Sequence, residues 1–202
     1  MSLISSSDTD IPSPSDMYGR WLSLDRDALY IETQALTEEG KYHWALLHVD
    51  HSGTITRHHW AEPPPRSPRS IPADPQNGAE RYTSEPVPSI PAAMRPGTTL
   101  LLGYCKLGQY LGGLTCVELE DVCKVAFRSG YASVSLNRAH GLSCQTWLFK
   151  VLSMLQERGC IADDISHPEI EALVCKVSSD ADTQRLRAFL RRQPYETFVA
   201  TV

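Results

Sequence analysis

The chain has 202 residues, 42% of them hydrophobic and 21% charged, with a net charge of −5. That length allows one large domain or two small ones, and the acidic balance leaves no electrostatic footprint for nucleic acid or an anionic membrane surface. No apolar run approaches the ~20 residues a membrane helix needs, so a soluble, cytoplasmic protein is expected.

Residues 1–16 are rich in Ser, Asp and Pro and lack a basic start or an apolar stretch, so they read as a disordered tail and not a secretory signal. Residues 17–202 are expected to form a single α+β domain. The six cysteines are expected to be reduced thiols. None lies in a CxxC pair and the histidines lack zinc spacing, so neither a metal nor another cofactor is expected.

Leu29 to Leu36 alternates β-branched and polar residues and predicts a strand. Glu38-Glu39-Gly40 turns the chain into a second strand, Tyr42 to Val49. Asp50-His51-Ser52-Gly53 is a hairpin turn, and Thr54 to Trp60 returns. Together they predict an antiparallel meander. Residues 61–97 hold ten prolines and show no periodicity, so they read as an insertion, a lid or a disordered loop between two strands, with no central strand. Within it, Pro63-Pro64-Pro65-Arg66-Ser67-Pro68-Arg69 resembles a ligand for an aromatic groove and makes this segment the candidate docking point for a protein partner. Thr98 to Cys105 resumes a β-like run.

Thr115-Cys116-Val117-Glu118 has the form of a capping box and opens a helix to about Ser129. Tyr131 to Leu136 reads as a short strand or extended lead-in. Ser143 then caps a helix that ends at Gly159, with Trp147, Leu148, Val151, Leu152 and Leu155 on its apolar stripe. A short helix over His167–Lys176 and a second from Ser179 or Asp180 to Arg192 follow, and Tyr195–Val202 closes as an edge strand or docks.

Two stretches carry chemistry. Cys144 falls in the first turn of the helix capped by Ser143, where free amide protons and the helix dipole favour a thiolate. On the second strand, period-two geometry sets His43, Ala45, Leu47 and Val49 on one face. That face is the more uniformly apolar one and is expected to receive the Cys144 helix, bringing thiol and imidazole together. A three-residue turn puts His59 on the His43 face, and a two- or four-residue turn puts His58 there. His140, close to Cys144 in sequence, is a further candidate for the pocket mouth or for the base.

His-Trp-Ala-Leu at 43–46, a polar residue on the returning strand and Ser-Cys-Gln-Thr-Trp at 143–147 resemble the circularly permuted branch of the NlpC-type papain-like fold. That branch includes the lecithin:retinol acyltransferase-like proteins. The chain is also similar to a group of fungal proteins that combine a His-Trp strand with an Asn-Cys-Gln-x-Trp helix start. The resemblance covers roughly residues 28–60 and 131–160.

It implies an antiparallel sheet with a central nucleophile-bearing helix packed on it. It further implies Cys144 as nucleophile, His43 as general base and His59, or alternatively His58, as the group that orients His43. Ser143 stands where the family often has Asn, and the proline-rich insertion is not typical of it. The expected activity is a cysteine-dependent hydrolase or acyl transferase acting on an amide, ester or thioester of a small-molecule or peptide substrate. The alternatives are a cyclase or isomerase using the same pocket for acid–base chemistry, and a non-catalytic interaction module.

Overall fold

The computed structural model describes residues 20–38, 40–62, 79–94, 97, 100–162 and 166–202. The expected tail at 1–16 and the Pro63–Arg69 run lie outside the described residues.

A six-stranded sheet organises the molecule. Its strands are β1 (Ala28–Ala35), β2 (Tyr42–Val49), β3 (Ile55–Ala61), β4 (Arg81–Pro86), β6 (Leu101–Lys106) and β8 (Phe198–Thr201), in the order β4-β3-β2-β1-β6-β8. Strands β5 (Ala93–Met94) and β7 (Tyr195–Glu196) form a separate antiparallel pair. Every pairing within the large sheet is antiparallel except β6 with β8. The helices are α1 (Cys116–Ala126), α2 (Val134–Ala139), α3 (Cys144–Glu157) and α4 (His167–Arg191). The fold is therefore mixed α+β on a mostly antiparallel sheet.

The β2–β3 connection fixes which residues share a face. Asp50 N–H bonds Thr54 C=O at 3.0 Å and the Asp50 side chain caps the turn through Ser52 and Thr54. That leaves a three-residue turn, His51-Ser52-Gly53, with Gly53 at φ +91°, a conformation that a side chain at Cβ would disfavour. The resulting register pairs Leu46 with His58 and Val49 with Ile55. His59 consequently joins the His43 face, and His58 joins the Trp44 and Leu46 face.

Both faces of the sheet are covered. Trp44 and Leu46 of β2 pack with Trp60, with Leu119, Val122 and Cys123 of α1, and with the whole apolar stripe of α3. Leu47 and Val49 pack with Tyr30, Tyr104, Ile90, Met94 and Tyr195 on the other side. The α3 helix thus lies on the Trp44 face, opposite the one expected for it. The reason is volume: Trp44, Trp60 and Trp147 are all buried there, and large rings contribute more buried area than the Ala45 and Leu47 side of the strand.

Three further elements differ from expectation. The region 61–97 contributes β4 as an edge strand on β3, closing at Pro86 where a missing N–H costs no ladder bond. Residues 134–139 are helical, capped by the Ser133 hydroxyl accepting from Leu136 N–H. One helix of 25 residues replaces the two expected after His167. The expected caps Ser179 and Asp180 lie inside this helix, and the adjoining Ser178 donates to Val174 C=O at 2.7 Å and reaches Thr33 Oγ1 at 3.0 Å. Its hydroxyl is satisfied inside the helix, so no cap is needed there.

Candidate functional site

Helix α3 begins where its sequence predicts. Ser143 Oγ accepts from Thr146 N–H at 3.1 Å, and Thr146 Oγ1 accepts from Ser143 N–H at 2.9 Å, a reciprocal cap in which Thr replaces the usual Glu or Gln. At the far end Gly159 takes φ +70° and Cys160 N–H bonds Leu155 C=O at 2.9 Å. These two ends fix Cys144 as the first helical residue, half-buried at the edge of the sheet.

Pairing between β2 and β3 runs only from Leu46↔His58 to Val49↔Ile55. Beyond Leu46 this ladder is not continued, and the Trp44 backbone amide neighbours the Cys144 sulfur. Burial pushes the Cys144 thiol up, while the Trp44 amide, the Arg138 guanidinium and the Gln145 amide all act in the opposite direction. The thiol is therefore protonated at rest, beside groups that favour its anion.

On the opposite face, His43 Nε2 and His59 Nδ1 are 3.1 Å apart. Their rings meet edge to face at a centroid separation of 5.4 Å. Burial, then the charge of His59 and of Arg57, brings the His43 pKa down to about 4, and burial likewise lowers that of His59. Both imidazoles are neutral near pH 7, so one nitrogen of the contact donates and the other accepts. Among the described residues no hydrogen bond joins Cys144 directly to His43, whose ring is engaged by His59.

A cleft of about 350 Å³ opens at Cys144. Its walls include Tyr42 and Trp44 from β2, Gln145 from α3, Glu171 and Cys175 from α4, and Arg138 from α2. Arg138 and the residue that holds it were not legible in the sequence. Glu80, 4% exposed, takes both amino groups of Arg138 at 2.7 and 2.8 Å and also the Asn137 amide at 2.8 Å. The partners are 57 and 58 positions apart, so no local pattern announces them.

The remaining candidates go elsewhere. His58 is buried on the Trp44 face, with Nδ1 2.8 Å from the Tyr82 hydroxyl and its ring stacked on that of Tyr82. His140 caps the end of α2 and stacks on Tyr131 with centroids 4.2 Å apart. It lines a different cleft of about 400 Å³, with Phe127, Arg128 and Leu142. A second thiol contact lies at the other end of β2, where Cys116 Sγ is 3.7 Å from both His48 Nδ1 and Asp50 Oδ2. Burial and then the Asp50 charge push the Cys116 thiol up, which marks it as a neutral donor to the carboxylate.

Among the described residues no group of three or more His, Cys, Asp or Glu is arranged to hold a metal ion, and no helix is long and apolar enough to cross a membrane. No family model matches the chain, and no curated protein or solved structure matches it.

Proposed function

We propose that this protein is a cysteine-dependent hydrolase or acyl transferase in which Cys144 attacks an amide, ester or thioester carbonyl. The observation that supports the reading is the His43–His59 contact on the strand whose Trp44 amide neighbours the Cys144 thiol. Imidazole oriented by a third group, next to a thiol on a helix start, is the arrangement that nucleophilic acyl transfer requires.

The roles follow from which atoms are engaged. His59 occupies His43 Nε2, which leaves Nδ1 as the nitrogen that takes the thiol proton. For this, the His43 ring, on the sheet face opposite α3, must reach the thiol past the end of the β2–β3 ladder when substrate binds. The thiolate attacks the carbonyl carbon and a sulfur–carbon bond forms. The carbonyl oxygen gathers negative charge and is met by free amides at the start of α3 and by the Gln145 side chain. As the bond to the leaving amine, alcohol or thiol breaks, the imidazolium returns its proton to it. Water or an acceptor nucleophile, deprotonated by His43, then releases the acyl group from Cys144.

Thiol reactivity tests this. Iodoacetamide at pH 7 should label Cys144 faster than the other five cysteines, as mapped by mass spectrometry, and His43→Gln should remove the excess rate. Equal labelling of Cys144 and the half-buried Cys160, unaffected by His43→Gln, would overturn the reading in favour of a non-catalytic module.

A further inference from the structure

Resting on the cysteine-nucleophile reading above, we propose that the cleft at Cys144 selects substrates whose acyl group carries a cationic side-chain amine, with the Glu171 carboxylate as its counter-charge. Three charged side chains line this cleft: Lys41, Arg138 and Glu171. Their charges are not equally available. Lys41 is ion-paired to Glu38 at 2.8 Å. Arg138 is ion-paired to the buried Glu80 at 2.7 Å, and it also donates to Leu142 C=O. Glu171, exposed on the first turns of α4, has no ion pair among the described residues. The cleft therefore presents two compensated cations and one uncompensated anion. An anionic substrate finds no free partner in it, and a cationic one does.

The other walls limit what surrounds that charge. Tyr42 from β2 and Cys175 from α4 supply apolar surface. Cys175 lies one helical turn after Glu171 on the same side of α4. A cation entering here meets a carboxylate at its charged end and the Tyr42 ring along its stem, the pairing that long amines such as a lysine side chain satisfy. At about 350 Å³ the space suits an aminoacyl or short peptidyl group and is near the lower end for small-ligand sites.

The test uses N-blocked chloromethyl ketones of lysine, norleucine and glutamate on the full chain. Norleucine has nearly the shape of lysine without its charge. In each case the Cys144 sulfur displaces chloride, the thiol proton passes to solvent through His43, and the adduct is mapped by peptide mass, which separates Cys144 from Cys175. At low ionic strength the rates at Cys144 should fall in the order lysine, norleucine, glutamate. The lysine-to-norleucine ratio should be about threefold or more, the scale of an exposed charge pair, and should shrink in salt. Glu171→Gln should bring the ratio close to one with an unchanged Tm, which shows that the fold is intact. If Cys144 outruns the other cysteines in a His43-dependent way but reacts equally with all three ketones, the charge selectivity is overturned and the nucleophile reading stands. If Cys144 outruns none of them with any reagent, the nucleophile reading falls and this inference falls with it.

Discussion

His43 Nε2 and His59 Nδ1 sit 3.1 Å apart across the two strands, a diagonal contact that exists because the β2–β3 turn has an odd number of residues. Insertion or deletion of one residue in that turn would present His58 instead. If His59 orients His43, replacements should rank by their ability to keep one hydrogen bond at that nitrogen. His59→Gln should retain most of the excess alkylation rate at Cys144, and His59→Leu should lose about tenfold or more. Equal rates for the two variants, with unchanged thermal stability, would show that the ring contact is only packing.

Cys144→Ser keeps the helix start, and its hydroxyl is a far weaker nucleophile, so turnover of an aminoacyl ester should fall by orders of magnitude with little change in Tm. His43→Gln should cause a loss of similar size. Because the two groups would act on one proton, the double variant should be barely worse than either single one. Additive losses in kcat/KM would argue for two independent roles.

The sequence made the first three strands, the Ser143 cap and the α3 stripe legible, because each rests on local spacing that the sheet and core then reinforce. Tyr42–Val49 matches β2 at both ends, and Ser143 with Gly159 brackets α3. The odd-turn option that brings His59 to His43 was legible too, but the choice between it and an even turn required the Asp50–Thr54 bond. What could not be read was which face α3 would cover. His43-Ala45-Leu47-Val49 is the more uniformly apolar set, yet the indole of Trp44 and its neighbours Trp60 and Trp147 decide the packing. Likewise Ser179-Asp180 looks like a helix start near the middle of α4, until tertiary packing gives the adjoining Ser178 hydroxyl Thr33 as a partner. Glu80 sits in a proline-rich stretch, and nothing local marks it as the buried anchor of Arg138.

That anchor should be costly to remove. Glu80 binds Arg138 and Asn137, and Asn137 is fully buried. Glu80→Ala leaves a guanidinium without its carboxylate and a buried amide without an acceptor, a loss of about 2–4 kcal/mol in urea unfolding. Arg138→Met leaves a buried carboxylate with one partner fewer and should cost less than Glu80→Ala, since Asn137 still donates to it. A Glu80→Ala loss smaller than that of Arg138→Met would show that the carboxylate does not carry the cluster.

The histidines predict how stability responds to acid. Burial, then the neighbouring His48 charge, lowers the His58 pKa to about 4, and burial followed by the His59 charge does the same at His43. In the unfolded chain an ordinary histidine titrates near 6.5. Between the two values the unfolded chain binds more protons than the folded one, so stability rises with pH across that window and is lost as pH falls from about 6.5 towards 4. Each such group accounts for at most about 3 kcal/mol over the full window. His58→Gln can keep a hydrogen bond to Tyr82 and cannot be protonated, so it should cost some stability at pH 7 and flatten the decline below pH 6.5. The expected readout is a set of urea midpoints from pH 7 to 4.5 in which the variant and native curves converge or cross. Parallel curves would place the acid sensitivity outside His58, and a native midpoint unchanged over that range would mean that the buried imidazoles find water on protonation without unfolding.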